Sequence, residues 1–166
     1  MKNRQLSLFE QEQQADPTLT DVEIVQALCD RLLDAAEERP PIDVELLASM
    51  RGVTRVEQHE QPFAGMIAAD GKGLVVHVRV SDGWRRQRFT ILHEAAHTLL
   101  PGFVDTPQFR CEPPGAKTRT ETLCDIAASE LLLPRRYFGR DLAEAGFGLD
   151  AVEQLADAYE ASVEAT

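Results

Sequence analysis

The chain is 166 residues long, 43% hydrophobic and 27% charged, proportions that suit one globular domain with a sizeable core. Its formal net charge of −11 at pH 7, with a pI of about 4.8, makes it a poor direct partner for nucleic acid or an anionic membrane, so any DNA-linked role should run through another protein. The three cysteines, Cys29, Cys111 and Cys124, form neither an even disulfide framework nor a C-x-x-C pair. Met1-Lys2-Asn3-Arg4 leads into glutamines rather than an apolar leader and no stretch reaches transmembrane length, so a reducing cytoplasm is the expected compartment.

In chain order, residues 1–18 are Gln-rich and polar and read as a flexible arm ending at Asp16-Pro17, ahead of a domain over 19–166. Helical periodicity then runs from Asp21 to about Glu38, with Val22, Val25, Leu28, Leu32 and Ala36 on one stripe. Pro40-Pro41 breaks it, and a short helix follows from Asp43 to Met50. Val53–Glu57, Ala64–Ala69 and Leu74–Val80 read as strands, the last two joined as a hairpin by Asp70-Gly71-Lys72-Gly73. Leu74–Val80 is the expected sheet edge against which an extended peptide substrate would pair.

The next helix, from about Gly83 to Leu100, carries the most informative stretch, His93-Glu94-Ala95-Ala96-His97. Positions i and i+4 lie one turn apart on a single helix face, so both imidazoles of this H-E-x-x-H pattern can reach one metal ion, while Glu94 is placed to act as a general base without being a ligand. Neutral imidazoles suit Zn²⁺. The competing structural reading is two histidines met by chance, but the chain holds only four histidines and Phe89-Thr90-Ile91-Leu92 is apolar enough to bury this face. The basic cluster Arg85, Arg86 and Arg88 reads as a solvated helix start.

Two histidines require a third ligand. The extended form H-E-x-x-H-x-x-G-x-x-H is excluded, because Leu100 and Phe103 stand where Gly and His are needed. A carboxylate from a later helix would complete a His₂Glu site. Pro101–Lys117, with four prolines and two glycines, is too long for an ordinary connector and reads as a substrate-facing loop. Beyond it, a helix from about Thr120 to Leu133 places Glu121, Cys124, Asp125, Ala128 and Leu132 on one face. Glu121 is the candidate third ligand, and Asp125, one turn on, the acceptor that orients a ligand histidine. The competing role for Glu121 is the last position of a Thr118-Arg119-Thr120-Glu121 capping box. Helices Arg135–Ala145 and Leu149–Ser162 close the chain.

The block Arg88-Phe-Thr-Ile-Leu-His93-Glu94-Ala-Ala-His97-Thr-Leu-Leu100 resembles the R-F-T-x-A-H-E-x-G-H-x-L-L signature of the ImmA/IrrE metallopeptidases. Glu121-Thr-Leu-Cys-Asp-Ile-Ala-Ala-Ser-Glu-Leu-Leu-Leu-Pro134 resembles their E-x-x-A-N-x-F-A-x-x-L-L-x-P block, in the same order. Pro41–Ala48 with Arg51-Gly52-Val53, and Leu155–Ala165, resemble the family's opening and closing elements. Ala96, Cys124, Asp125 and Ile126-Ala127 depart from the pattern without removing a ligand. The resemblance implies an α+β, zincin-like fold with a small mixed or antiparallel sheet packed on the H-E-x-x-H helix. It also implies zinc-dependent endopeptidase activity, with one Zn²⁺ per chain, on DNA-binding repressors of stress-response or mobile-element genes, the helix-turn-helix type being the expected partner.

Tyr137, Tyr159, His59 and His77 are the available oxyanion donors, with sequence alone unable to choose among them. A zinc-stabilised module that sequesters a regulator without cutting it, and a small-molecule hydrolase on the same metal site, are the rival readings. Cys111, on the Pro-rich loop, is either incidental or a thiolate that holds the zinc site latent. Gln5-Leu6-Ser7-Leu8-Phe9 resembles the Q-L-S/D-L-F peptide that docks proteins onto the bacterial DNA sliding clamp, its apolar anchors having no evident core to fill.

Overall fold

The computed structural model describes residues 6–103 and 118–166. Seven α-helices and three strands follow in the order α1 (Leu8–Ala15), α2 (Asp21–Ala36), α3 (Val44–Met50), β1 (Val53–His59), β2 (Gly65–Ala69), β3 (Leu74–Arg79), α4 (Trp84–Ala96), α5 (Arg119–Leu132), α6 (Arg135–Ala145) and α7 (Leu149–Ala158). A 3₁₀ turn, His97–Leu99, follows α4. The fold is α+β and zincin-like, with a small mixed sheet, as the sequence leads one to expect.

Local capping accounts for several element starts. Ser7 and Thr20 each close a capping box, with Glu10 and Glu23 returning the bond, and the Asp43 side chain accepts from the Leu46 backbone N–H at the start of α3. The first of these overturns part of the flexible-arm reading. Residues 8–15 are helical, Phe9 is 3% exposed within the core, Leu8 packs against that core, and Arg31 of α2 pairs with Glu12 at 2.8 Å. Phe9 therefore has a core to fill, and the premise that Leu6, Leu8 and Phe9 are spare anchors is corrected for Phe9. Gln5 lies outside the described residues.

The sheet order is β1-β3-β2, with β1 parallel and β2 antiparallel to β3. Leu74–Arg79 is thus the central strand and not the edge expected from the sequence. The reason is legible in its near-continuous apolar run, since Val75, Val76 and Val78 are all buried, as a strand covered on both edges favours. The edges are β1 and β2.

Helix α4 packs under this sheet, beside α5 and α3, and α5 packs in turn on α2. Its first turns are tied down by side chains rather than capped. Gln87 donates through Nε2 to the Arg79 and Asp82 carbonyls, and Arg85 pairs with Asp157 of α7. Arg88 is not the solvated residue its cluster suggests: its Nη2 donates to the Ile42 carbonyl at 2.7 Å and its Nε to the Glu160 carbonyl at 3.1 Å. Glu160 sits at φ 51° where α7 ends in a Schellman turn, with Ala161 N–H donating to the Ala156 carbonyl.

Replacing Arg88 with Met keeps the stem and removes the charge-assisted bonds, so the unfolding free energy should fall by about 2 kcal/mol. Urea denaturation followed by circular dichroism measures it, and an unchanged midpoint would show that the two carbonyls lose nothing.

Candidate metal centre

The stretch Thr90–Ala96 of α4 is buried on every residue, including His93 and Glu94, and His97 in the 3₁₀ turn is 2% exposed. The tightened winding is held from the end of α3: Arg51 donates through Nε to Thr98 Oγ1 at 2.9 Å and through Nη2 to the Thr98 carbonyl. A cation at the C-terminal end of a helix also suits its dipole.

Helix α5 enters from the other side. Thr118 caps it by accepting from the Glu121 backbone N–H, while the Glu121 carboxylate turns to the histidines: Oε2 lies 3.5 Å from His93 Nε2 and Oε1 lies 3.9 Å from His97 Nε2. The two imidazoles stand edge to face with centroids 5.5 Å apart. One turn further on, Asp125 Oδ1 is 2.8 Å from His93 Nδ1. An Nδ1–H that donates there leaves the Nε2 lone pair turned toward Glu121 and His97.

Cys124, fully buried on the same helix, adds a member that the sequence placed on the face of Glu121 and Asp125 but did not single out as a ligand. One donor atom from each of His93, His97 and Cys124 lies within 4.8 Å of the others. Atoms bound 2.0–2.2 Å from a tetrahedral ion are about 3.3–3.6 Å apart. The imidazole–carboxylate separations are close to that value, and nitrogen, oxygen and sulfur donors all suit zinc. The residues fit a metal of this class.

Strand β2 forms the other wall. A Cβ built on Gly65 would stand 2.3 Å from Thr90 Cγ2 and 2.9 Å from Glu94 Oε1. The backbone of an edge strand thus runs directly against the H-E-x-x-H glutamate, an approach only glycine permits.

The oxyanion candidates fare differently. Gln58 bonds to Gln87 of α4, so Glu57 and His59, its neighbours on β1, point to the opposite face of the sheet, as does His77 beside Glu57. His59 and His77 are therefore corrected: they lie across the sheet from Glu94. Tyr159 donates its hydroxyl to Asp141 Oδ2 at 2.8 Å, and burial followed by that bond raises its pKa, so its proton is committed elsewhere. Tyr137, in α6, lies under the Arg136 guanidinium. Cys29 is buried against the Ala127 carbonyl, and burial pushes its thiol pKa up, which makes it an inert core group. Cys111 and most of the Pro-rich loop lie outside the described residues.

The family model for the IrrE N-terminal-like domain, Peptidase_M78, matches residues 31–166. The chain belongs to this family. Membership points to a metallopeptidase-like hydrolase, and the matched span contains both α4 and α5 with the residues described above. No curated protein matches the chain. Among the described residues, no helix is long and apolar enough to cross a membrane.

Gly65→Ala should destabilise the fold by about 1–3 kcal/mol, the usual range for overpacking, because either β2 or the Thr90–Glu94 turn must move. Chemical denaturation gives the value. Wild-type stability in this variant would mean that β2 does not press on Glu94.

Proposed function

We propose that the protein is a zinc-dependent endopeptidase in which His93, His97 and Glu121 hold the metal and Glu94 is the general base. The observation that carries this reading is the convergence of one carboxylate from α5 on both α4 histidines, with a second, buried carboxylate beside an edge strand. Zinc held there would polarise the scissile carbonyl and lower the pKa of water. Glu94 takes the proton from the attacking water and returns it to the leaving amine. Asp125 fixes the ring of His93. An extended peptide adds to the free edge of β2, whose main-chain groups next to Gly65 bring the scissile bond to Glu94.

The proposed substrate is a DNA-binding repressor of the helix-turn-helix type, cut in a cytoplasmic stress-response or mobile-element switch. The net charge of −11 supports a protein substrate over direct contact with DNA. Docking onto a sliding clamp through Leu6, Leu8 and Phe9 would first require α1 to leave α2 and expose Phe9.

Cys124 favours one rival. A thiolate joining the two histidines and Glu121 would fill all four tetrahedral positions, and a closed site binds zinc structurally. The protein would then sequester a regulator intact. Glu94, buried beside β2, supports the cleaving form, since a structural site has no use for a general base.

Incubation with the repressor encoded nearest the gene, followed by intact-mass analysis, separates the readings. Wild type should cleave it. Glu94→Gln should retain one zinc at this site and lose at least about 100-fold in rate, the lower range for a general base. His97→Ala should lose both the zinc at this site and cleavage. Cleavage by Glu94→Gln at the wild-type rate would remove Glu94 from the mechanism, and intact repressor held in a stable complex with wild type would favour the closed site.

A further inference from the structure

The face of the sheet turned away from α4 carries its own cluster of donors. Parallel pairing sets Glu57 of β1 directly beside His77 of β3, and His59 follows two residues after Glu57 on the same face. Glu57 Oε2 is 3.1 Å from His59 Nε2 and 3.6 Å from His77 Nδ1, and the two rings are 5.1 Å apart and tilted by 37°. One donor atom from each of the three residues lies within 4.8 Å of the others. The other carboxylate oxygen is occupied: Arg55 Nε donates to Glu57 Oε1 at 2.6 Å, and the same guanidinium pairs with Asp70. Oε2 is thereby aimed at the histidines as a single donor.

We propose that Glu57, His59 and His77 form a second metal site, for a divalent transition ion of the zinc class, on the sheet face opposite the H-E-x-x-H helix. Two imidazoles and one carboxylate suit Zn²⁺, Co²⁺ or Ni²⁺ rather than Mg²⁺ or Ca²⁺, which take oxygen ligands. The donors, within 4.8 Å of one another, need to close by at most about 1.5 Å to meet around one ion, given bonds of 2.0–2.2 Å. Their exposure allows both the closure and water ligands: the His59 and Glu57 side chains are 50% and 33% exposed, and His77 supplies the fixed member at 19%. Local charge also favours a cation, because Arg55 is balanced by Glu57 and Asp70 together. The ion would clip the end of edge strand β1 to central strand β3, adding stability by binding only the folded chain.

Native mass spectrometry of the full chain loaded with Co²⁺ tests this. Wild type should carry two ions, His59→Gln/His77→Gln one, and Glu57→Gln should weaken the second ion at least about tenfold with the far-UV circular dichroism unchanged. His97→Ala should also carry one ion, the other one. The double variant binding as many ions as wild type with the same affinities would overturn the proposal, as would a single ion in wild type that the double variant retains. If His97→Ala keeps two ions and the double variant keeps one, this site stands and the zinc role of α4 falls, so the two failures are distinguishable.

Discussion

Burying His93 and Glu94 in the last turn of α4, and His97 in the 3₁₀ turn that follows, is the constraint around which the rest is arranged. Polar and ionisable groups removed from water are costly unless each finds a partner. The neighbouring elements supply them: Asp125 and Glu121 come from α5 and a close backbone wall from β2, with Arg51 of α3 securing the turn that holds His97. None of these contacts is local in sequence. Helix α4 takes up this composition because four other elements press on it, and the fold can be understood as the scaffold that makes three buried polar side chains tolerable.

The same arrangement explains what could be read from the residues beforehand. H-E-x-x-H and Glu121-x-x-x-Asp125 are short-range patterns on single helices, so spacing alone places each set on one face. Spacing could not decide whether Glu121 caps its helix or faces the histidines, because both begin from the same Thr118 cap; only the approach of α5 to α4 separates them. The capping box of α1 was also present as Ser7-x-x-Glu10, but the polar composition around it concealed that Phe9, with Leu8 beside it, seats the helix on the core. Strand order depends on pairing across the chain, and so the central place of β3 needed the structure, although its three valines, interrupted only by His77, carried the hint. The Glu57–His77 pairing was out of reach for the same reason, since a parallel register leaves no local signature.

The two edges of the sheet have different surroundings. At β2 a glycine brings backbone against the Glu94 carboxylate, and among the described residues this strand pairs on one side only. At β1 the outer face is lined by Arg55, Glu57 and His59, charged and polar side chains of the kind that keep an edge from recruiting a second sheet. Strand β2, Gly65–Ala69, carries no charged side chain of that kind.

The Arg88 guanidinium joins stretches made at very different times. Its acceptors are the carbonyl of Ile42, synthesised before α4, and that of Glu160, 72 residues downstream. During translation the helix bearing both histidines must therefore wait, with this cation only half satisfied, until the turn after α7 has left the ribosome. A pairing of such long range is slow to close and is absent from any nascent intermediate. The helix that carries His93 and Glu94 thus lacks this fastening in any chain that stops short of Glu160.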